Sequence, residues 1–373
     1  MNESREYLTS QIITYIGNKR SLLGDIEAAV TELKAKLGKE KCVCADLFSG
    51  SGIVSRLLKK HSQLLYVNDL ENYSCMLSSC YLTDRKDFDE KKYDECLSKI
   101  LELTESKKIE GVISKNYAPA DDSCIKADER AFYTRENALR IDSFRTYTDT
   151  VVEDPSFRKF FLAPLLTEAS VHVNTSGIFK GFYKDKKTGI GCFGGEGKNA
   201  LSRILGTVEL KKPVLSNFEC RKEIFQRDTV ELCTQGIIKN IDIAYLDPPY
   251  NQHPYGSNYF MLNLILKNRI DADMSRVSGI LSNWNRSAFN KKKYALDSLE
   301  DIISNLDSRF IIVSYNSEGF ISFDEMTSMM KKYGKLEVRE INYNTFRGSR
   351  NLSSRPIHVS EYLFILEKIR YNK

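Results

Sequence analysis

The residues best suited to chemistry are Asp247-Pro248-Pro249-Tyr250, which follow the short apolar run 242–246. Two adjacent prolines end a strand and stiffen what comes after it, because each locks its own φ and removes a backbone donor. A carboxylate, a proline carbonyl and an aromatic ring on one rigid loop suit a flat heteroaromatic amine. The Asp247 carboxylate and the Pro248 carbonyl can accept its two N–H bonds, while Tyr250 stacks on an extruded base. The nitrogen of such an amine is a poor nucleophile because its lone pair is delocalised into the ring. Holding both N–H bonds draws the nitrogen toward tetrahedral geometry and aims the lone pair at an electrophile. The loop then supplies orientation, which is most of what a one-step displacement needs. Alone, the tetrapeptide is also a turn that any protein can carry.

A second constellation lies near the start of the chain, where Asp46-Leu47-Phe48-Ser49-Gly50-Ser51-Gly52 closes the apolar run 42–47. Glycines between a strand and a helix let the backbone turn tightly and approach a ligand without a Cβ in the way. The spacing is D-x-F-x-G-x-G, not G-x-G-x-x-G, so a dinucleotide pyrophosphate is not the implied ligand. The pocket suits an amino-acid moiety and a ribose. Some twenty residues further on, Asp69 follows a second apolar run, where an acid can accept hydrogen bonds from two ribose hydroxyls. Structural glycines and a helix-capping aspartate are the plainer readings of the same residues.

The elements that must position these groups follow from periodicity. Runs at 42–47, 64–68, 242–246, 310–314, 336–343 and 361–366 predict strands, and 53–60 and 260–267 predict helices. Strand–helix alternation at both ends of the chain predicts an α/β fold with a mostly parallel, doubly wound sheet. The middle, 72–216, carries mostly helical patterns, a charge cluster at 84–92 and a loop-like stretch at 174–184. It also holds five glycines within 189–198. That glycine stretch is not a phosphate-binding loop, since Asn199 follows Lys198 where Ser or Thr is required. The middle reads as an inserted domain.

Taken in order, Tyr15-Ile16-Gly17-Asn18-Lys19, the Asp46–Gly52 motif, Asp69 and Asp247-Pro248-Pro249-Tyr250 resemble the α-class, Dam-type adenine-N6 DNA methyltransferases. Phe225-Gln226-Arg227-Asp228, Ser314-Tyr315-Asn316-Ser317-Glu318-Gly319 and Glu361-Tyr362-Leu363-Phe364 extend the likeness over most of the chain. The resemblance implies a Rossmann-like, seven-stranded methyltransferase sheet with an inserted, mainly helical target-recognition domain. On that pattern 1–75 and 216–373 form the catalytic domain and 76–215 the DNA-recognition domain. It implies S-adenosylmethionine as cofactor, held by Tyr15, Gly17, Lys19, Asp46, Phe48, Gly50, Gly52, Asp69 and Asp228. The Lys19 ammonium would suit the cofactor carboxylate or a neighbouring acid. Asp247, Pro248, Pro249 and Tyr250 match the catalytic loop. The reaction implied is direct methyl transfer to the N6 amino group of a flipped adenine in duplex DNA, without a metal. Lys180, Phe182, Tyr183 and Lys184 in the insert are candidates for DNA contact. So are Arg347 and Arg350 in the C-terminal region, where ten Lys/Arg stand against four Glu over 331–373. His253 could line the base pocket, Asn258 and Tyr259 could help orient the base, and Trp284 reads as a packing residue.

Composition is compatible with this reading. The chain has 373 residues, 42% hydrophobic and 28% charged, and a net charge of +5. Such a charge permits a polyanionic partner without requiring one. No run approaches the roughly 18 apolar residues of a membrane span. The polar N-terminus does not read as a secretory signal, so a cytoplasmic protein with no membrane partner is expected. Nine cysteines include no C-x-x-C pair and none that follows a proline. That argues against a zinc site and against the Pro-Cys nucleophile of cytosine-C5 methylation. Related loops also serve RNA and cytosine-N4 methylation, and a catalytically silent DNA-binding relative is a further alternative. A cognate restriction endonuclease, encoded separately, is a possible partner.

Overall fold

The computed structural model describes residues 3–198, 200–344 and 358–369. Seven strands form one sheet: β1 (Cys42–Asp46), β2 (Ser62–Asp69), β3 (Arg221–Gln226), β4 (Ile241–Leu246), β5 (Ser308–Asn316), β6 (Gly334–Asn344) and β7 (His358–Lys368). Their order is β3-β2-β1-β4-β5-β7-β6. The first five run parallel, and β7 is antiparallel to both of its neighbours. This is the Rossmann-like, seven-stranded arrangement that the resemblance implies.

Alternation along the central strands divides two cores. On β4, Ile243 and Tyr245 join one core with Leu22, Ile26 and Val30, while Ala244 and Leu246 join the other with Leu299, Ile302 and Met326. A strand buried on both faces reads as a continuous apolar run, and all six residues of β4 are buried. The helices Leu23–Leu37 and Ile53–His61 cover the first face. The helices Lys292–Asn305 and Phe323–Lys331 cover the second. The order reverses between β1 and β4, and parallel sheets bind ligands beside such a reversal, at the carboxyl ends of the strands.

β3 is the strand that apolar pattern does not foretell. It lies at the sheet edge, paired to β2, and its sequence Arg221-Lys222-Glu223-Ile224-Phe225-Gln226 is exposed or only half-buried throughout. Charged side chains on an edge strand discourage pairing with other chains. They also erase the periodicity that would announce the strand.

Between β2 and β3 the chain builds helices Asn72–Tyr81, Glu90–Ser106, Val112–Asn116, Arg135–Val151, Lys159–Val171 and Leu201–Leu205. A third core fills them with Tyr93, Phe144, Phe161 and Leu165, and the same core takes in Leu262 and Ile265 of the helix Phe260–Lys267. That helix follows the Asp247–Tyr250 loop, so the helical layer is welded to the segment just after it. The buried Lys59 ammonium, 2.5 Å from Asp84, ties the first turn of the insertion back to the sheet layer.

Candidate active site

The glycine turn grows out of β1. Gly50 and Gly52 have φ of +51° and +75°, a region that side-chain-bearing residues rarely adopt. Gly50 is constrained twice over, because a Cβ there would stand 2.7 Å from the Tyr15 ring. Asp69 at the end of β2 fixes the turn, accepting the Gly50 N–H at 2.7 Å and the Glu71 N–H at 2.8 Å. Burial pushes the Asp69 pKa up, against the pull of those N–H donors. Asp46 lies beneath, almost wholly buried, with its carboxylate accepting the Ser55 hydroxyl at 2.5 Å. Burial raises its pKa to about 7.

The Asp247 loop leaves the neighbouring strand, β4. The buried Lys19 ammonium lies 2.9 Å from Asp247 Oδ1 and 2.8 Å from Glu361 Oε1 on β7. Glu361 also accepts the Ser314 hydroxyl at 2.7 Å and the Asn316 amide at 3.3 Å, both from β5. Burial alone would lower the Lys19 pKa, but the two carboxylates overcome it and hold the ammonium charged. Burial lifts the Asp247 pKa to about 6 against the pull of Lys19. A fifth of the Asp247 side chain still opens outward, at 19% exposure, so solvent moderates that shift. Tyr250 meets Tyr315 edge-on at 6.3 Å, and its carbonyl accepts the Phe320 N–H at 3.1 Å.

The segment before Lys19 clasps this loop. Tyr15 stacks between Tyr255 and Tyr259, with ring centroids at 5.0 and 4.8 Å. The Ile16 N–H donates to the Tyr259 hydroxyl, and the Tyr255 hydroxyl donates to the Ile16 carbonyl. Gly17 lies under the Tyr250 and Tyr255 hydroxyls. Stacked tyrosines whose hydroxyls find partners bury a large apolar area. Between clasp, glycine turn and loop lies a cavity lined by Tyr15, Phe48, Asp69, Glu71, Asp228 and Asp247 among others. Phe289 and Asn290 close it from the far side, with Phe289 edge-on to Phe48 at 5.4 Å.

The structure thus brings Tyr15, Phe48, Gly50, Asp69, Asp228, Asp247 and Pro249 to one cavity wall. Gly17, Lys19, Asp46, Gly52, Pro248 and Tyr250 stand behind or beside it. The Lys19 ammonium meets the neighbouring acids Asp247 and Glu361. Asp228 also caps the helix Thr229–Thr234, accepting the Val230 and Glu231 N–H groups. In the insertion, Lys180 sits close enough to His253 to lower its pKa, after burial. Phe182 is 9% exposed and packs edge-on against Phe132 at 5.1 Å. Tyr183 and Lys184 are half-buried. Asn258 and Tyr259 are buried in the clasp, and Trp284 stacks against Arg286 at 4.3 Å. Arg347 and Arg350 lie outside the described residues.

Sequence reasoning missed Glu71, which faces the cavity, accepts the Asn263 amide at 2.6 Å and the Asn285 amide at 3.3 Å, and has its pKa raised by burial to about 7. Its place two residues after Asp69 was the available signal. Glu361 was seen only as part of a late motif, without its link to Lys19.

Comparison with known proteins identifies the family. The family model of the D12 class N6 adenine-specific DNA methyltransferases matches residues 15–329. The Type II methyltransferase M.NlaIII of Neisseria lactamica is 29% identical over 95% of this chain and 99% of its own. The Type II methyltransferase M.CviAII of Paramecium bursaria Chlorella virus 1 is 30% identical over 95% and 98%. The Type II methyltransferase M.FokI of Planomicrobium okeanokoites is 26% identical over 95% of this chain, which spans 52% of that longer protein. With the family model matching most of its length and relatives up to 30% identical along nearly all of it, the chain belongs to the D12 class of N6 adenine-specific DNA methyltransferases.

Proposed function

We propose that the chain methylates the N6 amino group of adenine at a specific sequence in duplex DNA, taking the base out of the helix and into the Asp247 loop. The observation that carries this is the Asp247 carboxylate, held against Lys19 at 2.9 Å and opening onto the cavity beside Pro249. A duplex buries the adenine amine within its stack, so an enzyme acting on it must extrude the base. Asp247 and the Pro248 carbonyl would accept the two N–H bonds of the amine, and Tyr250 would stack on the ring. Lys19 keeps Asp247 an acceptor at neutral pH, and Glu361 keeps Lys19 in place. Hydrogen-bond acceptors fixed before the reaction cost no reorganisation when charge develops on nitrogen.

The cavity fits S-adenosylmethionine, the methyl donor that the family implies. Asp69, Glu71, Asp228 and Asp247 give it an acidic lining, which suits a ligand bearing an ammonium, a sulfonium and ribose hydroxyl donors. Asp69 and Glu71 would hold the ribose end, Phe48 and Phe289 the adenine, and the Gly50–Gly52 turn the amino-acid end. When bound, the cofactor supplies an electrophilic methyl group. Tyr15 and Tyr255 shut water from that side of the cavity. Asp46 and Gly52 act through the turn that they shape.

We assign target recognition to 76–215, helped by the segment after the catalytic loop, and read the enzyme as the modification half of a restriction–modification pair. The Type II names of the similar proteins support that context. The test is modification-sensitive sequencing of DNA from a methylation-free host expressing the protein or its Asp247→Ala variant. N6-methyladenine at one recurring sequence, lost in the variant while calorimetry still detects cofactor binding, is expected. Modified cytosine, or adenine methylation retained in the variant, would refute the assignment.

A further inference from the structure

Two hairpins in distant parts of the chain are built alike. In the insertion, the Cys192 N–H donates to the Tyr183 carbonyl, Asp185 to Ile190, and Gly189 to Asp185, the last two at 2.9 Å. After the catalytic loop, the Ser282 N–H donates to the Asp273 carbonyl, Ser275 to Ile280, and Gly279 to Ser275, the last two again at 2.9 Å. A single bridge joins Lys184 to Gly191 in one and Met274 to Leu281 in the other. The glycine closing each turn has positive φ, +72° at Gly189 and +69° at Gly279. Each turn is pinned by its first side chain: Asp185 accepts the Thr188 hydroxyl at 2.9 Å, and the Ser275 and Ser278 hydroxyls pair at 3.0 Å.

Both hairpins sit on consecutive residues of the insertion. Asn174, wholly buried, donates to the Ala131 and Cys192 carbonyls and so anchors the first. The Arg130 guanidinium donates to the Ser275 and Arg276 carbonyls, and the Tyr117 hydroxyl to the Gly279 carbonyl, anchoring the second. The first follows Lys180, which lies near enough to His253 to influence it, and the second leads in sequence to Asn285, Phe289 and Asn290 of the cavity wall.

The tips differ in a telling way. The first carries Lys186 and Lys187, with the Asp185 charge engaged by the turn and by the Lys187 and Thr188 N–H groups. The second replaces that acid by the neutral Ser275 and carries Arg276 and Val277. Val277 is 61% exposed, the most exposed of the large hydrophobic residues among those described. An arginine next to an exposed apolar side chain on a tight, rigid tip suits a duplex. The guanidinium matches a phosphate, and the apolar group a base step.

We infer that the hairpin 273–282 is a second DNA-contacting element, outside the inserted region, with Arg276 on a backbone phosphate and Val277 against the bases. This rests on the reading that the substrate is duplex DNA. The test uses the full chain, Arg276→Gln and Val277→Ser, with a fluorescein-labelled mixed-sequence duplex titrated at several salt concentrations. Methylation of host DNA and melting temperature are measured in parallel. Loss of one phosphate contact should lower the slope of log affinity against log salt by about 0.9 in Arg276→Gln. Val277→Ser should keep the wild-type slope but lose about tenfold in kcat/KM for DNA methylation, a loss of about 1.4 kcal/mol. Unchanged melting temperatures exclude misfolding as the cause. A wild-type slope in Arg276→Gln together with wild-type kcat/KM in Val277→Ser overturns the hairpin assignment alone. Wild-type protein that fails to methylate DNA at all overturns the underlying reading instead.

Discussion

Replacing Lys19 by Met removes the ammonium that lies between two carboxylates, Asp247 at 2.9 Å and Glu361 at 2.8 Å. At an effective dielectric of about 20, unit charges at that distance attract by about 5–6 kcal/mol. Solvent at the open edge of Asp247 reduces this, to about 3–4 kcal/mol, or about two to three pKa units. Asp247, already raised by burial to about 6, then titrates well above neutrality. A protonated Asp247 offers a donor where the amine needs an acceptor. The variant should lose about 10- to 100-fold in kcat at pH 7, and the deficit should shrink as pH rises past about 8 to 9. The wild-type rate should fall only as pH drops through about 6, the direction expected of a carboxylate that must be ionised. Single-turnover methylation of duplex DNA across this pH range, with melting curves at each pH, measures both. Adding Glu361→Gln to Lys19→Met should recover part of the loss, since it removes the nearest like charge. A folded Lys19→Met protein whose profile still falls at the wild-type pH would refute the reasoning.

Glu71 gives a stability test. Its folded pKa of about 7 lies above the ordinary 4.5, so its contribution is fully present below pH 4.5 and lost as pH rises through 7. Glu71→Gln should flatten the decline of the cofactor-free melting temperature between pH 5 and 8, by on the order of 3 kcal/mol. An unchanged pH slope would contradict this. Gly256→Ala would set a Cβ 2.8 Å from the Asn285 carbonyl and 2.9 Å from Glu71. The cavity wall must shift, and KM for the cofactor should rise by about tenfold or more, with duplex affinity unchanged. Phe182→Ala should cost about 3 kcal/mol in chemical denaturation, as emptying a core site does. A stability loss below about 1 kcal/mol with a large loss of DNA affinity would return Phe182 to the DNA surface.

How far the sequence discloses the fold follows from burial. β1, β4 and β5 announce themselves because almost every position is buried and each carries an apolar run. β3 does not, since half its residues are charged, and β6 and β7 run a few residues beyond their apolar cores because antiparallel pairing sustains them. The glycine turn and the Asp247 loop are legible because their chemistry demands particular residue types at short spacing. What escapes is whatever depends on distant partners. The Lys19–Glu361 pair spans 342 positions. Glu71 is a cavity residue only because Asn263 and Asn285 fold back on it, and Phe182 is core only because Phe132 meets it. The twin hairpins share too few identities to register as a repeat, although their backbones agree bond for bond.

The Lys19 bridge also has a consequence for synthesis. Glu361 follows Lys19 by 342 positions. At typical rates of about 5–20 residues per second, roughly 17–68 s separate the two residues as the chain is made. Through that interval Lys19 has no β7 carboxylate to hold it, and the β5–β7–β6 edge cannot form. A nascent chain therefore carries its glycine turn and its Asp247 loop before the bridge between Lys19 and β7 exists, and truncation before Glu361 should leave Lys19 with Asp247 alone.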